Sequence, residues 1–133
     1  MDGQGGGLGR QLVGAIKAKR PDVTLLAVGT NSAATTAMLR AGADQAATGE
    51  NAVLVGCCTA DVIVGPVGIV IADAMLGEVT PKMAVAVGQS RAGRILIPVN
   101  QCDNIVAGVQ GQPMAKLVQS AVEALDRFDL CPQ

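Results

Sequence analysis

No histidine, tryptophan or tyrosine occurs in the 133 residues, and phenylalanine occurs once, as Phe128. Without histidine there is no imidazole to act as a general base or to ligate a metal. Without tyrosine there is no phenolic acid. The scarcity of aromatic rings also removes the stacking platforms that hold single-stranded nucleic acid. An excess of one charge is missing too. Ten basic and eleven acidic residues leave a net charge of −1, so no positive field draws nucleic acid or an acidic membrane. The four cysteines, Cys57, Cys58, Cys102 and Cys131, include no CxxC pair. With no histidine to complete a ligand set, no metal site is expected. They read as reduced thiols of a cytoplasmic protein, and a redox or metal role for Cys57-Cys58 stays open beside that. The first residues have neither the basic nor the apolar region of a secretory signal. The apolar stretch from Val62 to Ala72 is too short to cross a bilayer as a helix.

What is present points to one folded domain spanning residues 1–133. Half the residues are apolar and 16% are charged, which excludes a disordered chain. Leu8, Leu12, Val13 and Ile16 share a helical stripe that ends at Arg20-Pro21. The run Val23 to Val28 reads as a strand buried on both faces. Ser32 to Arg40 reads as a helix stopped by Gly42. Glu50 to Ala60 reads as a helix, with a strand as the alternative. Asp61 to Pro66 reads as a strand and turn, and Ile69 to Val79 fits no single element. Thr80-Pro81 starts a helix that Gly93 is expected to stop. Arg94 to Val99 reads as a strand. Ile105 to Val109 reads as a further strand, and too few residues precede it for a crossover, so it is expected to be antiparallel. Pro113 opens a last helix with an apolar face of Leu117, Val118, Ala121, Val122 and Leu125. This alternation predicts an α/β fold of three layers, Rossmann-like, with a mostly parallel sheet and an antiparallel last strand.

The most informative segment is Gly3-Gln4-Gly5-Gly6-Gly7-Leu8-Gly9. Five glycines in seven positions weaken any regular element. A backbone that turns tightly and leaves its N–H groups open explains them, because a helix follows at once and its N-terminus attracts phosphate. The spacing fails the GxGxxG fingerprint in every register, and Arg10-Gln11 breaks the phosphate-loop lysine motif. The GxxxGxG spacing of Gly3, Gly7 and Gly9 does fit. On it the loop resembles the cofactor loop of short-chain dehydrogenases. Asp61-Val62-Ile63-Val64-Gly65-Pro66-Val67-Gly68 resembles that family's D-I-L-V-N-N-A-G segment. With no tyrosine for the family's Tyr-x-x-x-Lys pair, the resemblance carries the cofactor half and not the chemistry.

The whole chain is more similar to a family of short bacterial proteins known only as a domain of unknown function. The segments that carry the similarity are residues 2–9, 29–32, 48–52, 65–70 and 97–102. Both families place a strand of apolar residues ahead of the glycine loop, where this chain has Met1 alone. The resemblance therefore implies a first strand upstream of Met1, and a gap at the centre of the sheet without it.

Ligands of open α/β sheets bind beyond the carboxyl ends of the strands. Polar or small groups stand at each such end here: Asp2-Gly3-Gln4, Thr30-Asn31-Ser32, Gly65-Pro66 and Asn100-Gln101. The helix N-terminus at Gly7 to Arg10 is expected to hold the phosphate, within a binding loop of Gly3, Gln4, Gly5, Gly6, Gly7, Leu8 and Gly9, and Thr30, Asn31 and Ser32 are expected to meet the sugar or a second phosphate. Gly65, Pro66, Asn100 and Gln101 are expected to line the remainder. No acid follows the strand before Thr30, where NAD proteins place one for the ribose hydroxyls, and no Arg sits there for a 2′-phosphate, which weakens NAD and leaves NADP or a mononucleotide open. Glu78 reads as a solvated loop charge. The expected function is binding of a small phosphate-bearing ligand, with no nucleic-acid or membrane partner. Two alternatives remain open: a small enzyme with Asp2 or Glu50 as acid/base, and a non-catalytic sensor or homo-oligomeric assembly subunit.

Overall fold

The computed structural model describes residues 1–99, 103–109 and 111–130. The fold is mixed α/β with short parallel strands. Helix α1 (Gly7–Lys19) buries Leu8, Leu12, Val13 and Ile16, the stripe that its spacing predicts. Strand β1 (Leu26–Gly29) begins later than the apolar run before it. Helix α2 (Ser32–Arg40) is capped by the Asn31 side chain, which accepts the Ala34 amide at 2.9 Å. Strand β2 (Gln45–Thr48) follows, unannounced by any apolar pattern. Helix α3 (Glu50–Thr59), strand β3 (Val62–Pro66) and a 3-10 turn at Val67–Val70 come next. Helix α4 (Pro81–Gln89) starts on Thr80, whose hydroxyl accepts the Met83 amide at 3.2 Å. Strand β4 (Gly93–Ile97) and helix α5 (Met114–Ala124) complete the order.

Two expectations are corrected. Gly93 does not stop α4, which ends at Gln89. It opens β4, and the Phe128 ring fills the space where a Cβ would stand. Residues 105–109 form no strand. Ile105 is 93% exposed, so its apolar side chain is not spent on a sheet face. The antiparallel pairing expected there is therefore absent among the described residues, and both strand pairs are parallel.

β1 pairs with β2 from Leu26↔Gln45 to Gly29↔Thr48, and β3 pairs with β4 from Val62↔Gly93 to Pro66↔Ile97. β1 and β3 do not pair with each other. At their carboxyl ends they are bridged by Met1 and Asp2. The Asp2 amide donates to the Val28 carbonyl at 3.1 Å, Thr30 N–H donates to the Asp2 carbonyl at 3.0 Å, and the Met1 amine donates to the Val64 carbonyl at 2.9 Å. Three apolar clusters hold the elements together. Ile69, Val79, Met83 and Val87 pack with Val53 of α3. Leu8, Leu12 and Ile16 pack with Val118, Val122 and Leu125. Val13, Ala34 and Met38 join α1 to α2.

Candidate functional site

The site grows from the turn that carries the chain out of Met1-Asp2 and into α1. Asp2 is 5% exposed. Its Oδ1 accepts the Gly3 amide at 2.8 Å and its Oδ2 accepts the Gly9 amide at 2.7 Å. One buried carboxylate thus clamps both ends of the glycine loop, at the positive end of α1. The turn closes with Gly6 N–H donating to the Gly3 carbonyl at 3.0 Å. Gln4 (φ 50°) and Gly6 (φ 73°) are both left-handed.

The loop glycines fall into two groups. A Cβ at Gly3 would stand 2.6 Å from Thr30 Oγ1, one at Gly6 2.8 Å from the Ala34 Cα, and one at Gly9 2.9 Å from the Asp2 Cβ. These three are required by close packing. A Cβ at Gly5 or Gly7 would meet nothing within 4 Å. The open side of the loop therefore lies over Gly5 and Gly7. Gly6 caps α1 without a side-chain hydrogen bond, and the first turn holds no acid. The amides of Gly5, Gly7 and Leu8 have no acceptor among the described residues. They form a small group of donors at a helix N-terminus, where an anion is favoured.

A strap of residues 71–79 folds over the loop. It turns through left-handed Asp73, Met75, Leu76 and Gly77, with φ between 57° and 89°. Three of these are not glycine, a conformation that costs of order 1 kcal/mol or more each. The Asp73 amide donates to the Val79 carbonyl at 2.8 Å and the Val79 amide to the Ala74 carbonyl at 3.1 Å, which closes the turn. The strap delivers Glu78. Its Oε1 accepts the Gln4 amide at 2.8 Å, the Thr30 hydroxyl at 2.7 Å and the Asn31 side-chain amide at 2.6 Å. All three bonds end on Oε1, so Oε2 has no donor among the described residues. The Thr30 hydroxyl and the Gln4 amide hold the Glu78 carboxyl below its ordinary 4.5. Glu78 is therefore no solvated loop charge. It is a half-buried tie between strap, glycine loop and the end of β1.

Thr30 and Asn31 are the Glu78 donors, and Asn31 also donates to the Gln4 carbonyl at 2.8 Å. Ser32 is exposed at the start of α2. Gly65 and Pro66 are buried at the end of β3, with Gly65 against the Met1 carbonyl. Glu50 stands in the first turn of α3 and accepts the Thr80 hydroxyl at 2.6 Å, which ties the starts of α3 and α4 together. Asn100 and Gln101 lie outside the described residues. Cys57 is half-buried, and burial pushes its thiol up, while Cys58 is exposed. No cluster of three cysteine or acidic ligands suited to a metal occurs among the described residues. No helix among them is long and apolar enough to cross a membrane.

The structure places Asp2, Gly3, Gln4, Thr30 and Asn31 near one another and adds Glu78, which sequence reasoning leaves out of the site. No local signal marks Glu78, because its partner Gln4 lies 74 positions away.

The model of the family described as domain of unknown function DUF3842 matches residues 1–129. No curated protein and no solved structure matches the chain.

Proposed function

The chain belongs to the DUF3842 family, and we propose that it binds a phosphate-bearing nucleotide at the loop of residues 3–9, on a Rossmann-like α/β scaffold. The observation that carries this reading is the open side of the loop at the start of α1. The amides of Gly5, Gly7 and Leu8 have no acceptor among the described residues, Asp2 taking only the Gly9 amide of the first turn, and the missing side chains of Gly5 and Gly7 leave the approach open. A phosphate accepts such amides and meets the positive end of the helix dipole. Asp2 serves this arrangement by fixing the loop, not by touching the ligand, since both of its oxygens are occupied.

Glu78 sharpens the choice of ligand. The end of β1 has no acid of its own, yet Glu78 places a carboxylate beside Thr30 and Asn31 with Oε2 unengaged. A carboxylate near the end of that strand accepts ribose hydroxyls and repels a 2′-phosphate. This turns the preference from NADP to a mononucleotide or NAD with free ribose hydroxyls. The role is binding. Asp2 and Glu50 both act as acceptors within the fold, so neither supports the acid/base alternative.

A thermal-shift panel of AMP, ATP, NAD, NADP and inorganic phosphate tests the reading. A ligand at 100 times its dissociation constant adds about 2.7 kcal/mol, a rise in Tm of roughly 8–15 °C for a domain of this size. The expected result is a rise with AMP or NAD that is lost in Gly7→Val. A flat panel overturns the proposal.

A further inference from the structure

Strand β2 pairs with β1 on one side and leaves its far side open. The Gln45 amide donates to the Leu25 carbonyl at 3.3 Å, and the Gly49 amide donates to the Gly29 carbonyl at 2.9 Å. Hydrogen-bonding groups alternate from side to side along a strand, so Gln45, Ala47 and Gly49 face β1. Ala46 and Thr48 turn their N–H and C=O groups outward, where no partner meets them among the described residues. Native proteins blunt such an edge with a lysine, a proline or a bulge. Gln45-Ala46-Ala47-Thr48 has no charge and no proline, and it pairs with β1 in unbroken register. The strand at the other outer edge, β4, carries Arg94.

Helices flank this edge on both faces. Ala34, Ala37 and Met38 of α2 turn towards α1, and Thr35 turns towards β2, its hydroxyl 2.7 Å from that of Thr48. Leu39, one turn on from Thr35 and on the side away from α1, is 47% exposed. On the opposite face α3 lies over β1, with Gly56 against Leu26 and Val28. Glu50, Val53 and Cys57 face α4, which leaves Val55 on the β2 side, 56% exposed. The edge is therefore layered: an aliphatic side chain, a row of unpaired peptide groups, and a second aliphatic side chain.

We infer that this edge is the interface of a two-fold homodimer, in which β2 pairs antiparallel with β2 of a second copy of the chain. The occupant follows from the symmetry of the edge. With the axis at Ala47, Ala46 stands opposite the partner's Thr48, and Thr48 opposite the partner's Ala46. The two pairs exchange four hydrogen bonds and use every outward group of Ala46 and Thr48. Ala47 meets its own copy in the non-hydrogen-bonded pair, where Cα atoms approach to about 4.5 Å and a small side chain fits. Gln45 meets the partner's Gly49, so no like charges oppose each other along the strand. An axis perpendicular to the sheet keeps the layers in register, so α2 meets α2 and α3 meets α3. Leu39 and Val55 then pass from solvent into the junction. Each copy spends its β2 edge once, so assembly closes at two chains.

Light scattering on a sizing column, with the chain loaded between about 1 and 100 µM, tests the inference. The expected result is twice the chain mass of 13.3 kDa at the top of that range. A single mass throughout, or masses beyond two chains, overturns it. Ala46→Pro removes an outward amide and keeps the ladder to β1. Leu39→Lys sets like charges into the junction. Each is expected to weaken the dimer by about tenfold or more. Leu39 is exposed in the single chain, so Leu39→Lys keeps the fold and carries the test should Ala46→Pro fail to fold. Val85→Lys, at a 53% exposed position on α4, is expected to leave the dimer unchanged. A dimer that Leu39→Lys leaves intact, or that Val85→Lys weakens as much, overturns the placement at β2. The Ala46 and Thr48 amides are expected to exchange about tenfold or more slowly in the dimer than in Leu39→Lys. Equal exchange at both positions overturns the strand pairing.

Discussion

The Glu78 carboxylate accepts the Asn31 side-chain amide at 2.6 Å, and through it the strap before α4 is tied to the end of β1. The same oxygen takes the Gln4 amide and the Thr30 hydroxyl, so the geometry of three segments depends on one acid. Glu78→Gln keeps an acceptor oxygen and loses the charge. Because the group is partly open to water, the cost is about 1 kcal/mol, or roughly 3–5 °C in Tm. The donors hold the folded carboxyl below 4.5. The folded state therefore binds fewer protons than the unfolded state between the folded value and 4.5. The stability from Glu78 is complete above that window and lost as pH falls through it. Acid-denaturation curves of wild type and Glu78→Gln should converge at the acid end. Parallel curves down to full unfolding would contradict the tie.

Asp2 has the opposite setting, buried with both oxygens on backbone amides. Asp2→Ala leaves the Gly3 and Gly9 amides without partners and should cost about 2–4 kcal/mol in urea denaturation. Asp2→Asn retains one good acceptor and should fall between wild type and Asp2→Ala. Equal stability of all three would show that the clamp is not needed to hold the loop.

The helices were legible because local chemistry marks their ends. Asn31 caps α2, Thr80-Pro81 starts α4 and Glu50 sits in the first turn of α3, all within one turn of the residues they serve. Strand β2 was not legible. Gln45-Ala46-Ala47-Thr48 pairs on one side only and is half-exposed, so it needs no apolar run. Ile105 to Val109 has the residues of a strand and stays exposed, because apolar character alone does not supply a sheet edge to pair with. Gly93 reads locally as a helix stop, yet its purpose is to admit the Phe128 ring from the end of the chain. In the site, the glycine loop and the Thr30-Asn31 end of β1 were visible, being contiguous motifs. Glu78 was not, since only the folded strap brings it to Gln4.

The two groups of loop glycines make opposite predictions. Gly7 has an ordinary helical backbone and open space at its Cβ position. Gly7→Ala should therefore stabilise the fold by about 0.4–1 kcal/mol, through the unfolded chain, while hindering phosphate approach. Gly9→Ala drives a Cβ to 2.9 Å from the Asp2 Cβ and 2.5 Å from the Met38 Sδ. It should cost about 1–3 kcal/mol. Urea midpoints of the two variants, measured without ligand, should move in opposite directions. Movement in the same direction would remove the distinction on which the open face of the loop rests.

The Met1 amine predicts a pH dependence of its own. It donates to the Val64 carbonyl in a buried position, and burial lowers its pKa from 8.0 against the weaker pull of Asp2. Between the folded value and 8.0 the unfolded chain binds the proton and the folded chain does not. Stability therefore rises with pH through that window and levels above it. Cys57, pushed up by burial from 9.0, works in the opposite sense only above its ordinary range. Measurements of Tm between pH 6 and pH 8.5 isolate the amine, since no histidine titrates there. The native chain should gain stability across this interval. An Nα-acetylated chain, with nothing to titrate at that atom, should give a flat line. If both forms rise alike, the amine is not buried as a donor to Val64.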